Sequence, residues 1–420
     1  MKHLLICTLS FFCMNIYSQE MQKKMDYRTF MELVWKQNIG YAAEKLNLSV
    51  AEAEVKAARV FNDVVLGVEY ADNDDNNMQM GRSVSVELSK TFSFGKRGAN
   101  IDLAKSEKEL TNALLDDYFH ALRAEATLAY LEAVMQTELF RVKQQSCENI
   151  CELARGDSIR HRLGKITEVD ALQSALEAGI SRNEVIQARA ELHNVYSSLD
   201  LWMGEFSGET LLLPEGTLNL NERIFSTDEL LQTALNNRAD LAAAMKDTDV
   251  ARRALKVAKR ERNMDFDLAL GYNYNTEVRN EIAPAPKFNG VTLGVAIPLK
   301  FSNFNKGAVR AAEYRAQQAE LNYQQAELEV QTSVIQSLRK YKSMWEQVKN
   351  FDNGLLQDAK SVIDGKVYSY ERGETSLLEV LSARNTYDEL QASYIETLFQ
   401  CAAALVELER NVGIWDITIE

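Results

Sequence analysis

The chain has 420 residues, with 47 basic against 61 acidic side chains and a formal charge of −14. That balance excludes a polyanion such as nucleic acid as the main partner. Only four prolines occur, Pro214, Pro284, Pro286 and Pro298; with abundant Ala, Leu, Glu and Gln, this favours a mainly helical fold.

Residues 1–18 read as a secretory signal peptide. Lys2 and His3 form the polar start, residues 4–14 the apolar core, and Ile16-Tyr17-Ser18 a cleavage site before Gln19. The apolar core is about 11 residues, too short to span a bilayer. The residues before Cys7 and Cys13 do not form a lipobox, and no other long apolar run follows. The exported portion keeps Cys147, Cys151 and Cys401, an odd number that excludes a dense disulfide framework.

A first repeat is expected over residues 19–204. Residues 26–60 predict one helix of about 33 residues, with Thr29 and Glu32 as a capping box. Val64, Leu66, Val68 and Tyr70 then alternate with Val65, Gly67 and Glu69. After a polar loop, Val84, Val86 and Leu88 alternate with Ser83, Ser85, Glu87 and Ser89. Period two predicts strands. From about residue 96 to 160 runs a proline-free rod of about 65 residues, some 100 Å long. Along it Leu110, Leu114, Ala121, Leu128, Leu131 and Met135 fall at heptad-like steps, which make a seam for a partner helix. Gly164 ends the rod, and Thr167 opens a return helix of about 36 residues that closes at Gly204.

Residues 205–225, with Pro214, form an equatorial linker. A second repeat occupies 226–413, and 414–420 is a tail. Ser226 and Glu229 open a helix to about residue 263. Phe266, Leu268, Leu270, Tyr272 and Tyr274 form one strand face, and Val291, Leu293, Val295, Ile297 and Leu299 another, across a loop with Pro284 and Pro286. The second rod, residues 305–370, carries Leu321, Leu328, Ile335, Leu338 and Trp345; a return helix from Ser376 finishes the chain. A shift of about 209 residues takes Gly98 to Gly307, Gly164 to Gly373 and Gly204 to Gly413, the mark of a tandem duplication. In each half the two shorter helices, stacked end to end, match the long one, so a cylinder of constant length follows.

Each strand is apolar on one face and small or polar on the other, the pattern of a transmembrane β-strand. Hairpins packed on a soluble core are the alternative. Four strands cannot close a barrel, and an open edge is forbidden in lipid. Spanning strands therefore require several chains in one barrel; three chains give 12 strands and a water-filled lumen. The fold class expected is mainly α with transmembrane β: a long α-helical barrel, four strands per chain in a shared 12-stranded barrel, and an internal two-fold repeat.

The sequence resembles the TolC-like outer-membrane efflux proteins over essentially all of the exported portion. The resemblance rests on the duplicated order of helix, hairpin, long helix, turn and helix. It rests also on Arg372-Gly373-Glu374-Thr375-Ser376-Leu377-Leu378-Glu379-Val380-Leu381, with a weaker copy at Leu163-Gly164-Lys165-Ile166-Thr167-Glu168-Val169-Asp170. Leu199-Asp200-Leu201-Trp202-Met203-Gly204 and Leu408-Glu409-Arg410-Asn411-Val412-Gly413 fit helix ends of that family. The resemblance implies a homotrimer in a Gram-negative outer membrane, reaching into the periplasm. It implies passive export from an inner-membrane efflux pump of the resistance–nodulation–division type, met through a periplasmic adaptor protein. No nucleotide loop, zinc spacing or catalytic triad pattern occurs in the sequence, so no catalytic residue and no cofactor is expected.

Gly164 and Gly373 suit left-handed helix ends, and Thr167 and Ser376 suit N-caps with Asp170 and Glu379 three residues on. The resemblance makes these turns the adaptor-docking tips, and makes Glu379 and Asp170 candidates for the periplasmic aperture. Ser382 stands where some members carry a second acid. The apolar strand positions named above, Val64 through Leu299, are expected to face outer-membrane lipid, with Tyr70, Tyr272 and Tyr274 in an aromatic girdle. Cys147 and Cys151 share one helical face, as a metal pair or as small apolar side chains. His120, His161 and His193 are scattered, and Trp35, Trp202, Trp345 and Trp415 read as packing anchors. A periplasmic coiled-coil scaffold or adaptor with small β-domains is the competing reading.

Overall fold

The computed structural model describes residues 22–75, 78–206, 211–218, 221–299 and 304–416; the expected signal peptide lies outside them. The chain runs β1 (Gln22–Asp26), α1 (Tyr27–Gln37), α2 (Ile39–Ala58), β2 (Val64–Asp72), β3 (Arg82–Ser93), α3 (Lys96–Arg162) and α4 (Glu168–Met203). After β4 (Leu211–Glu215) come α5 (Thr227–Asn237), α6 (Ala239–Arg260), β5 (Asp265–Asn275), β6 (Phe288–Ala296) and α7 (Lys306–Asn350). A π-helical turn, Phe351–Leu355, leads into α8 (Leu356–Glu371), and α9 (Leu377–Val412) closes the order.

Three single helices expected from sequence are interrupted. Asn38, at ψ 120°, separates α1 from α2. Its side chain accepts from the Tyr41 amide at 2.9 Å and donates to the Trp202 carbonyl at 2.9 Å. One residue thus caps the start of α2 and satisfies a late carbonyl of α4. Arg238, at ψ 124°, breaks α5 from α6. Its guanidinium reaches Asp240 at 2.6 Å, Ser333 at 2.7 Å and the Asn411 carbonyl, near the end of α9, at 3.3 Å. Polarity at these positions fits a helical face as well as a break, so periodicity alone did not separate the pieces. The second rod is also not continuous: Gly354 sits at φ 110° in the π-helical turn, a conformation that favours glycine.

The helix starts differ in detail from the capping boxes. α1 begins at Tyr27 because the preceding residues through Asp26 are held by parallel pairing of β1 with β4. Thr29 therefore lies within the first turn, where its hydroxyl meets the Asp26 carboxylate, and Glu32 faces Lys36 instead. Ser226 is the N-cap of α5 as expected, without a side-chain capping bond.

The main core lies where the middle of α3 meets α1, the C-terminal parts of α4 and α9, and the second half of α7. Phe30, Leu131, Leu199, Leu405, Leu408 and Val334 are buried there. The Tyr130 hydroxyl lies 2.9 Å from the Met25 carbonyl and 2.6 Å from that of Glu215, fixing the small parallel sheet to α3. All four tryptophans pack against this core. Backbone segments pass close to one another at the ends of the return helices. Gly204 has φ 68°, and a Cβ there would collide with the Gln37 carbonyl oxygen (a backbone atom). Gly204→Ala is expected to cost about 1–3 kcal/mol, read as a lower thermal midpoint. An unchanged midpoint would show that the backbone at Gln37 yields freely.

α2 and α4 pack on α3, which also meets α6 and α9; α7 lies against α6 and α9. This leaves apolar residues exposed at both margins. Leu46 and Val50 on α2, Leu172 and Leu176 on α4, and Leu321 and Leu328 on α7 are all more than half exposed. The heptad seams are thus filled inside the chain at Leu131, Met135 and Leu338, and open at Leu321 and Leu328.

Candidate functional site

The two helical turns at the end of the rods are closed by matched hydrogen bonds. Gly164 and Gly373 have φ 70° and 77°. The Lys165 amide donates to the Arg160 carbonyl at 2.9 Å and the Gly164 amide to His161 at 2.8 Å; Glu374 to Ser369 (2.9 Å) and Gly373 to Tyr370 (3.0 Å) repeat the pattern. Both are Schellman ends. Thr167 then caps α4 by accepting from the Asp170 amide at 3.2 Å and donates to the Asp170 carboxylate at 2.7 Å. Ser376 caps α9 in the same manner, with Glu379, at 3.4 Å. The carboxylates bond the capping hydroxyls, where a full capping box would use the cap residue's own amide.

Glu379 is exposed and carries a partner the sequence did not suggest. Lys366 on α8 donates to it at 2.6 Å. That hydrogen bond first, then the Thr375 hydroxyl and the Lys366 charge, hold its carboxyl down at about 2. A depressed carboxylate stays ionised at every pH above that value, and the pairing is lost only as pH falls through it. Lys366→Gln is expected to move the titration back towards the ordinary carboxylate range. Carboxylate titration followed by NMR should then find Glu379 higher than in the parent; identical titrations would remove Lys366 as its partner.

Behind the turns lies a buried cluster that sequence reading missed. Asp157, on α3, is fully buried and accepts from the Tyr370 hydroxyl of α8 at 3.0 Å. Arg160 stands 3.7 Å from the same carboxylate and 5.1 Å over the Tyr370 ring. Burial, then the Asp157 charge, pushes the Tyr370 phenol up to about 12, so it remains a donor throughout the ordinary pH range. One level up, Arg384 of α9 donates to Ser146 of α3 at 2.5 Å, and Ser146 to Asp388. A signal existed: Val142, Ser146, Ile150 and Asp157 form one buried stripe of α3, so two polar residues occupied seam positions.

The four long strands form one antiparallel sheet in the order β2–β3–β5–β6, with β2 and β6 at open edges. Register aligns the expected apolar face across all four. Leu66, Leu88, Leu270 and Leu293 make one row; Val68, Val86, Tyr272 and Val291 the next; Tyr70, Val84 and Tyr274 a third. Leu293 and Val291 are 73 % exposed. Phe266 departs from this pattern: it is half-buried, stacked on Phe92 at 5.1 Å and Phe94 at 5.4 Å. Ile297 and Leu299 lie beyond the end of β6, next to Pro298, which has no amide to donate. On the other face the charged strand residues are Glu69, Glu87, Asp265 and Asp267; Lys90 and Arg82 fall on the apolar side by register.

Among the described residues no helix is long and apolar enough to cross a membrane, and no group of three or more His, Cys, Asp or Glu side chains is arranged for a metal ion. His120 accepts from the Trp415 indole at 2.8 Å, a packing role.

The outer membrane efflux protein family matches residues 230–413. The cobalt-zinc-cadmium resistance protein CzcC of Cupriavidus metallidurans is 23 % identical over 95 % of this chain and 92 % of its own length. The Campylobacter jejuni CmeC outer membrane channel superposes with a TM-score of 0.76 at 15 % identity, covering 92 % of this chain and 85 % of that one. The open state of the Neisseria gonorrhoeae MtrE outer membrane channel gives 0.71 at 15 % identity, covering 92 % and 88 %. Long helical columns that lead into one small sheet with an aligned apolar face are the fold of the outer-membrane channels matched here. Residues 230–413 carry the outer membrane efflux protein domain, and the chain as a whole has the fold of these outer-membrane channels.

Proposed function

We propose that three copies of this chain close a 12-stranded barrel in a Gram-negative outer membrane, continuous with an α-helical barrel in the periplasm. The observation that carries this is the single four-stranded sheet, open at β2 and β6, with an apolar face aligned in register. Unpaired edges in lipid leave amides and carbonyls unsatisfied, at several kcal/mol each, and pairing β2 of one copy with β6 of the next satisfies them. The exposed margins support the same closure: leucines of α2 and α4 on one side, and of α7 on the other, stand unpartnered within the chain. The recurrence of element order in the two halves supports a duplicated chain, so three copies present six quasi-equivalent helix pairs.

In this reading the apolar strand positions face lipid, and the tip turns at Gly164, Thr167, Gly373 and Ser376 meet a periplasmic adaptor protein, which links the duct to an inner-membrane efflux pump. Glu379 and Asp170 border the periplasmic aperture. The inner sheet face, acidic at Glu69, Glu87 and Asp267, favours cations, and the similarity to a cobalt-zinc-cadmium resistance protein supports metal cations among the cargo.

Detergent extraction, mass measurement and planar-bilayer recording test this together. The expected outcome is a particle three times the chain mass that requires detergent and conducts cations, with Glu379→Ser altering conductance or cation preference. A monomer soluble without detergent would overturn it in favour of a periplasmic scaffold.

A further inference from the structure

Cys147 and Cys151 occupy successive turns of α3, and their sulfurs are 4.0 Å apart. Both are free and half-buried, whereas Cys401 is fully buried. Cys401 shows what a packing thiol looks like here: burial alone pushes it up to about 12. The α3 pair differs. Its sulfurs face each other, and two groups from the neighbouring helix α4 reach Cys147: the Ser181 hydroxyl, which bonds it, and the Arg182 charge. Both favour a thiolate, although burial and the neighbouring Cys151 outweigh them and keep the thiol protonated in the free protein.

The spacing excludes one fate of such a pair. Side chains four apart on a helix hold their Cβ atoms about 5–6 Å apart, while a disulfide needs about 3.5–4.5 Å. The two thiols cannot join without unwinding a turn of α3, so they persist as a dithiol even in an oxidising compartment. The same spacing matches another fate. Two metal–sulfur bonds on the order of 2.3 Å, opposed in a line as a two-coordinate monovalent ion prefers, span about 4.6 Å between sulfurs, so a small χ1 rotation from the 4.0 Å seen here admits the ion. We propose that Cys147 and Cys151 bind one soft metal ion per chain in the seam between α3 and α4, selecting thiophilic monovalent ions such as silver or cuprous copper over zinc or cobalt.

The selectivity follows from the donor count. Among the described residues no third His, Cys, Asp or Glu completes a metal group. Zinc seeks four ligands, and cobalt is poorly served by two sulfurs, whereas monovalent soft ions accept a low-coordinate thiolate site. Binding breaks both S–H bonds and forms two metal–sulfur bonds. Each ion releases two protons to solvent and leaves one net negative charge beside Arg182. No electron is transferred. The site stands independently of whether the chain trimerises or conducts.

The test uses the exported chain in detergent with silver ion as the probe. Alkylation by iodoacetamide, read by peptide mass mapping, follows each cysteine separately. One silver ion per chain is expected to protect Cys147 and Cys151 together and to release two protons, while the same concentration of zinc protects neither. Cys147→Ser and Cys151→Ser are each expected to weaken protection of the remaining thiol about a hundredfold, since the second sulfur supplies the chelate. Independent protection needing two silver ions, equal protection by zinc, or single variants with parental affinity would overturn the proposal. Proton release and protection on the parent protein decide the matter even where a variant fails to fold.

Discussion

In the duct proposed above, Tyr370→Phe is expected to loosen the end that carries the tip turns and raise the conductance. The Tyr370 hydroxyl donates to Asp157 across the boundary between α3 and α8. Asp157 is fully buried, and its second oxygen already has no hydrogen-bond partner in the protein. Removing the phenol leaves the carboxylate with Arg160 alone, at 3.7 Å. A buried acceptor stripped of a donor loses about 1–3 kcal/mol, and a carboxylate belongs at the upper end. About 2 kcal/mol is roughly a thirtyfold shift between packed and parted helices. The loss is avoided if α8 moves and water reaches Asp157. The Gly354 turn lies above α8 and lacks regular helical geometry, so the helix has a place to bend. Single-channel recordings should show a larger or more frequently open conductance for Tyr370→Phe, and the same for Asp157→Ala. A variant with parental conductance and reduced thermal stability would show that the cluster only holds the fold.

Much of this arrangement was legible before any coordinates. The first rod, the tip glycines, the tip N-caps and most of the strand faces follow from spacing, because each depends on a local period or a backbone requirement. Thr167 and Ser376 were visible as caps since an N-cap satisfies amides two or three residues away. What spacing did not reveal depends on partners far along the chain. Asn38 breaks a helix because its amide group is used by Trp202, and Arg238 does so beside Asn411. Lys366 neutralises Glu379 from another helix. The joining of the two hairpins through β3 and β5 is likewise non-local; two separate hairpins and one sheet have identical alternation. The buried Asp157 was the nearest miss, since a carboxylate on an apolar stripe demands a partner, although the sequence does not name Tyr370.

The sheet gives the sharpest test of membrane insertion, because adjacent residues on β6 should behave oppositely. Leu293 sits in the central row with Leu66, Leu88 and Leu270 and is 73 % exposed. Thr292 pairs with Gly271 on the opposite face. An arginine on the lipid face near the midplane costs about 2–4 kcal/mol, and a trimer carries three. Leu293→Arg is therefore expected to abolish the trimer proposed above and deplete the protein from the outer-membrane fraction. Thr292→Arg adds the same charge one residue earlier, but towards water and beside Glu87 across the sheet. It should insert normally and shift selectivity away from cations. Equal loss for both variants would point to a general intolerance of bulk in β6, and equal tolerance would mean that the apolar face never meets lipid.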